Sequence, residues 1–171
     1  MELLQWDKAL TLGVKEIDDD HRDLIDCYNR LSKLILSGAE RKAVGAALKV
    51  LVDHAWSHFH CEETLMEAVA YPDRSAHKAA HEALLLAATM LQEKFRLEAS
   101  EAVSPQRFSF LQSWVVKHVL DADRDLAQFI LRQRRGSEDN LARKARTYSV
   151  AFANRNNRSG LSGDASKPKH R

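Results

Sequence analysis

The chain has 171 residues, enough for one domain with an extension, and 44% of them are hydrophobic. Six Gly and three Pro are few for this length, which favours a mainly helical protein. The net charge of +2 is unevenly distributed, because residues 134–171 contain ten Lys or Arg and three Asp or Glu. The sequence therefore predicts a mildly acidic body followed by a basic tail.

Three features exclude other classes of protein. The first residues, MELLQWDKAL, lack the positively charged segment and apolar run of a secretory signal. The longest apolar run, residues 83–91, is too short to span a bilayer, so no transmembrane segment is expected. Two cysteines, Cys27 and Cys61, do not form a disulfide framework. A soluble protein of the reducing cytoplasm is predicted.

Four stretches have apolar residues at helical spacing, and no stretch alternates as a strand would. The first helix is predicted from a cap at Asp18 to Ser37, with Gly38 ending it. The second covers about 41–69, and the third about 75–97. The fourth begins at Ser104-Pro105 and continues to about residue 134.

Short connections between four helices of similar length predict an all-α, antiparallel up-and-down four-helix bundle. We assign residues 1–134 to this bundle, with the residues up to Ile17 as an N-terminal arm that packs against it. Residues 135–171 form the predicted tail, which is basic and mostly disordered. Within the tail, Leu141, Ala145, Tyr148 and Phe152 recur at the spacing of a short amphipathic helix.

Each of the four predicted helices places histidine on its apolar face. A buried imidazole without a partner costs about 1–3 kcal/mol, and a shared metal centre would satisfy all of these rings together. Two pairs have the i, i+4 spacing that lets one helix face hold one ion: His58 with Glu62, and His77 with His81. The first and fourth helices contribute His21 and His118.

Two choices stay open at this level. In a regular helix Asp121 is the natural companion of His118, whereas Asp123 would point about 140° away. His54 is also four residues from His58, so these two histidines form a rival pair.

Four segments, VKEIDDDH, HFHCEETLM, YPDRSAHKAAHE and WVVKHVLDAD, resemble the successive signatures of bacterial hemerythrins over about residues 6–130. The resemblance selects His58 over His54 and Asp123 over Asp121. It implies two iron ions joined by an oxo or hydroxo bridge and held by His21, His58, Glu62, His77, His81, His118 and Asp123. Three histidines (His77, His81 and His118) would bind one iron, His21 and His58 the other, and the two carboxylates would bridge them. Using Asp123 predicts a π-type widening near residues 119–122.

The resemblance also implies a function. The iron with only two histidines keeps one open position, where dioxygen would bind reversibly for storage, delivery or sensing. Nitric oxide is a further candidate ligand. Five histidines against two carboxylates favour oxygen binding over catalysis, so the chain is predicted not to be an enzyme. Water would be excluded from the open position by apolar side chains, namely Leu24, Phe59, Trp114, Val115 and Val119.

Three carboxylates near the histidines in sequence are candidates to hold the imidazoles from outside, namely Asp18, Glu63 and Glu82. The rivals are a di-iron oxidase, peroxidase or ferroxidase, and a module that signals oxygen, nitric oxide or iron through a partner. Zinc or manganese in the same ligands is a further alternative. The tail is a candidate contact for an acidic partner or membrane surface, and no DNA binding is expected.

Overall fold

The computed structural model describes residues 2–97 and 105–137 of the chain. The chain divides into two units, Met1–Leu131 and Arg132–Arg171. In the second unit residues 132–137 are helical, and the predicted amphipathic segment from Leu141 to Phe152 lies outside the described residues. The boundary predicted at residue 134 stays a prediction.

The first unit is built from helices, and its described residues include no strand. Helix α1 is Lys15–Leu36, α2 is Arg41–Ala68, α3 is Arg74–Leu97 and α4 is Ser109–His118. Of the described helices, none is long and apolar enough to cross a membrane. The predicted all-α four-helix bundle is confirmed.

Contacts between the helices give their directions. The start of α2 meets the end of α3, where Arg41 donates to the backbone carbonyl of Phe95. The end of α2 meets the start of α3, where Lys78 donates to Glu63 at 2.9 Å. These two helices are therefore antiparallel, as the short connection between them predicts.

The start of α1 differs from the prediction. The helix begins at Lys15, and Val14 precedes it without a side-chain cap. Asp18 does not cap the helix, because its carboxylate accepts the backbone N–H groups of Leu12 at 2.7 Å and Gly13 at 3.0 Å. Gly13 has a φ of +86°, which suits glycine and lets the chain turn back toward this carboxylate. Asp18 thus fixes the segment that precedes the helix.

The end of α1 agrees with the prediction. Gly38 has a φ of +66° directly after Ser37, and its N–H donates to the carbonyl of Ile35 at 3.2 Å. A left-handed glycine at this position is a common way to end a helix while satisfying its last carbonyls.

Residues 2–14 lie along the bundle through several polar contacts. Asn29 on α1 accepts from the N–H of Leu4 and donates to its carbonyl, both at 2.8 Å. Arg124 donates to the carbonyl of Ala9 at 2.8 Å, and Arg22 stacks over the ring of Trp6. These contacts connect the N-terminal segment to α1 and to the helical segment that begins at Arg124.

The fourth helix of the bundle is built in parts. Pro105–Phe108 forms a 3₁₀ turn, α4 follows, and Val119–Asp123 forms a π-helical segment before the chain continues as helix through 124–131. Ser104, the predicted cap, lies outside the described residues. The predicted widening of this helix is confirmed.

The buried apolar residues form two clusters. The larger cluster includes Leu24, Phe59 and Val119, and the smaller includes Ile17 and Met66. On α1 and α2, the residues between these positions lie between the two clusters. Along α1 this is the level of His21, so the fold reserves a layer of the interior for polar side chains.

We expect Asp18→Ala to lower the free energy of unfolding by about 1–3 kcal/mol, because two backbone N–H groups lose their charged acceptor. Asp19→Ala is the matched control, since Asp19 is exposed and pairs only with surface Lys15 and Arg22. It should cost clearly less, because surface ion pairs contribute little to stability. Urea unfolding measures both, and equal losses would contradict the anchoring role of Asp18.

Candidate metal centre

Side chains from all four helices of the bundle converge between the two apolar clusters. They form two overlapping groups whose ligand atoms lie within 4.8 Å of one another. One group is Glu62, His77, His81, His118 and Asp123, and the other is His21, His58, Glu62 and Asp123. Together these residues are called the polar cluster below. The structure thus brings together all seven residues selected in the sequence.

Asp123 is the point where three of the helices meet. Its carboxylate lies 3.1 Å from Nε2 of His21, 3.0 Å from Nε2 of His77 and 3.1 Å from Nε2 of His118. The side chain is fully buried. Burial alone would raise the pKa of Asp123, but the three imidazoles beside its carboxylate, of which His77 is hydrogen-bonded to it, outweigh burial and hold the pKa well below its usual value.

Glu62 occupies the equivalent position beside the remaining imidazoles. Its carboxylate lies 3.3 Å from Nε2 of His81 and 3.7 Å from Nε2 of both His58 and His77. His21 lies 3.9 Å away on the other side. Both carboxylates therefore contact imidazoles of both groups, which is the placement a bridging ligand requires.

The π-helical segment decides which aspartate enters the polar cluster. A regular helix turns about 100° per residue, so a residue five positions after His118 would point well away from it. The wider π turn of Val119–Asp123 brings Asp123 back into line with His118. Asp121, the choice that regular spacing favours, is exposed. The open choice between the two is thus resolved by backbone geometry.

Buried polar atoms without partners test whether a cation fits. Among the described residues, several atoms of the polar cluster have no hydrogen-bond partner. They include both oxygens of Glu62 and Nε2 of His21, His58, His81 and His118. Each such atom would cost about 1–3 kcal/mol if it stayed unsatisfied. Imidazole nitrogens and carboxylate oxygens facing one point are donors for a transition metal. The residues therefore fit a metal centre.

Two imidazoles are held from outside by carboxylates. Nδ1 of His58 lies 2.8 Å from Oδ2 of Asp20, and Nδ1 of His81 lies 3.3 Å from Oε1 of Glu63. Lys78 in turn pairs with Glu63 at 2.9 Å. In each ring Nε2 is thereby turned toward the polar cluster.

The sequence prediction of these outer partners is only partly right. Glu63 lies where it was expected, whereas Glu82 is exposed and Asp18 holds the N-terminal segment instead. Asp20 was missed. The run Asp18–Asp20 offers three neighbouring carboxylates, and their different directions around α1 become decisive only once α2 is packed against it.

Among the described residues, His54, His60 and Cys61 lie outside the polar cluster. His54 is 24% exposed, with Nε2 3.5 Å from Oδ1 of Asp20. His60 stacks on Trp56 at the surface, and Cys61 is exposed. The predictions that His54 is partly exposed and that His60 and Cys61 face outward are confirmed.

Aromatic and aliphatic side chains cover one side of the polar cluster. The ring of Phe59 stacks on His81 with centroids 4.0 Å apart, and it meets His118 and Trp114 edge to face. The other side chains predicted to line the site, Leu24, Val115 and Val119, are buried in the same apolar cluster as Phe59. Their arrangement around an open coordination position stays a prediction.

We expect Asp20→Asn to lower the free energy of unfolding of the metal-free protein within a limited pH range. Burial lowers the pKa of His58, but Asp20 and nearby carboxylates raise it above its ordinary value overall. The hydrogen bond from His58 in turn lowers the pKa of Asp20. The charged pair thus forms fully above the unfolded pKa of aspartate, about 3.9, and below that of histidine, about 6.5.

The loss should be about 1–2 kcal/mol near pH 5.5 and should shrink as pH rises through the folded pKa of His58 or falls through that of Asp20. Urea unfolding of the metal-free variants at several pH values measures it. Asp23→Asn, an exposed residue of the same helix, is the control. A loss that is independent of pH would show that Asp20 does not interact with charged His58.

Comparison with known proteins identifies the family. Residues 12–130 match the family model described as Hemerythrin HHE cation binding domain. The bacteriohemerythrin of Stenotrophomonas maltophilia is 34% identical over 127 residues, which cover 74% of this chain and 81% of the relative. That of Methylococcus capsulatus is 34% identical over 125 residues, covering 72% and 94%. A crystal structure of wild-type hemerythrin superimposes with a TM-score of 0.68 at 32% identity, covering 74% and 97%. The chain belongs to the hemerythrin family.

Proposed function

We propose that this chain holds two iron ions in the polar cluster and binds dioxygen reversibly at one of them. The observation that carries the proposal is the overlap of two unequal groups of ligands. Both contain Glu62 and Asp123, but one has three histidines and the other has two.

Counting donors explains why the inequality matters. The group with His77, His81 and His118 offers five protein ligands, and the group with His21 and His58 offers four. Iron held by His21, His58 and the two carboxylates would therefore have more room for a small molecule than iron held by the three-histidine group. Ferrous iron bound there would supply the redox chemistry that reversible binding of dioxygen requires.

The protein around the polar cluster suits a small apolar ligand. Phe59 lies against His81 and His118 and excludes water from that side. A mainly apolar groove of about 360 Å³ lies between α3 and the fourth helix and includes Leu84, Trp114 and His118 in its wall. Dioxygen is soluble in apolar surroundings, and this groove brings apolar surface up to His118 at the edge of the polar cluster.

The donor set favours binding over oxygen activation. Di-iron carboxylate proteins of the ferritin-like class use a Glu from each of two helices and Glu-x-x-His motifs from the others. Here five neutral imidazoles accompany two carboxylates. Neutral donors stabilise ferrous iron and give little support to higher oxidation states. Storage, delivery or sensing of oxygen, or of nitric oxide at the same position, would all require reversible binding to ferrous iron.

We expect the purified protein, loaded with ferrous iron without air, to retain two irons per chain. On exposure to air a visible charge-transfer band should appear, and it should bleach again under argon. Metal analysis combined with stopped-flow spectroscopy measures both. Retention of one iron, or a band that decays with turnover of a reductant, would contradict the proposal and favour a different metal site or a di-iron enzyme.

We expect Asp123→Asn to lower iron affinity by more than about 100-fold, because Asp123 serves both ions, and second-shell changes alone cost about 10–100-fold. Asp121→Asn is the matched control in the same π-helical segment, since Asp121 is exposed. It should retain two irons per chain. Iron stoichiometry after gel filtration, with circular dichroism to verify folding, distinguishes them. Equal iron retention would contradict the bridging role of Asp123.

A further inference from the structure

Helix α3 has two apolar faces. One is turned inward and contributes His77, His81, Ala88 and Phe95 to the buried interior. The other is turned outward, where Leu86, Met90 and Leu97 are 63%, 64% and 67% exposed. A helix of a bundle normally has a polar outer face, so the second apolar face requires its own explanation.

The outward residues follow a regular spacing. At about 100° per residue they lie on a stripe opposite Ala88, and successive members are alternately four and three residues apart. The stripe consists of Ala79, Ala83, Leu86, Met90, Glu93 and Leu97, all exposed. Single exposed apolar residues are normal, but this alternation is the pattern by which one helix packs along another.

We propose that the outer stripe of α3 binds the same stripe of a second copy of this chain, with the two helices antiparallel. In antiparallel packing of such stripes, Met90 lies opposite the partner's Leu86, and Leu86 opposite the partner's Met90. The two largest central side chains of each copy therefore pack against each other around a two-fold axis. This symmetry closes the assembly at two chains.

Charges beside the stripe select this arrangement. Glu82 and Arg96 lie on the same flank of the stripe, fourteen residues apart and both exposed. When Met90 faces the partner's Leu86, Glu82 faces the partner's Arg96, and Arg96 faces the partner's Glu82. A parallel pair would instead bring Glu82 to the partner's Ala87, without an opposite charge. The antiparallel dimer thus gains two ion pairs that the parallel one lacks.

Arg96 can make this contact without losing its own partner. Within the chain it holds Glu93 through Nε at 2.9 Å and Nη2 at 2.7 Å. A guanidinium has five N–H donors, so others remain for the partner's Glu82.

The contact involves one helix from each copy, so the interface is small and the association is expected to be transient. It does not depend on the proposed oxygen-binding function, because the stripe faces away from His77 and His81. The inference therefore stands or falls separately from the assignment of the metal.

The test is the mass of the full chain measured by sedimentation equilibrium over a range of concentrations. We expect a monomer–dimer equilibrium that Met90→Glu shifts to monomer. Val50→Glu is the matched control, since Val50 is an exposed apolar residue of α2 and is 50% exposed. It should leave the equilibrium unchanged, and circular dichroism verifies that both variants fold.

Charge reversal tests the direction of the helices. Glu82→Arg alone and Arg96→Glu alone each replace two attractive pairs with two repulsive ones, so each should raise the dimer Kd by about tenfold. An equimolar mixture of these two variants restores opposite charges at both positions and should dimerise again, as should the double variant. A chain that is monomeric up to about 1 mM would overturn the proposal. So would a dimer insensitive to Met90→Glu, or a mixture that does not recover.

Discussion

The fold depends on satisfying two carboxylates and five imidazoles that are buried away from water. Asp123 and Glu62 meet rings from every helix of the bundle, and several of the facing nitrogens have no other partner among the described residues. If these buried groups stayed unsatisfied, they would cost more free energy than a few apolar contacts contribute. Apolar clusters lie on either side of this layer, and a bound cation would satisfy its donors.

The same demand explains the π-helical part of the bundle. Four regular helices would bring His118 inward and leave the residue five positions later facing elsewhere. The π turn adds one residue to the helix at Val119–Asp123 and brings Asp123 to the same face. Beyond it, Leu126 and Ile130 return to the apolar interior. The distortion is therefore local, and its cost is confined to the level of the proposed metal ions.

Much of this could be read from the sequence, for identifiable reasons. Helical spacing predicts four helices, and the i, i+4 pairs place His58 with Glu62 on one helix face. Spacing could not select Asp123 over Asp121, because a π turn has no strong local signature; only the resemblance to hemerythrins did. Nor could it show that Asp18 anchors the N-terminal segment while Asp20 holds His58, since those roles depend on which helix packs nearby.

Helix α3 shows how one element can serve two separate demands. Its inner side carries His77 and His81, which must be held still for a metal centre to keep its geometry, and Lys78 pairs with Glu63 to fix the outer contact of His81. Its outer side carries an apolar stripe that the bundle leaves uncovered. A partner on that side would contact the face of α3 opposite both histidines. Dimerisation would then stabilise α3 as a whole without altering the donors of the polar cluster, so the two properties can vary independently.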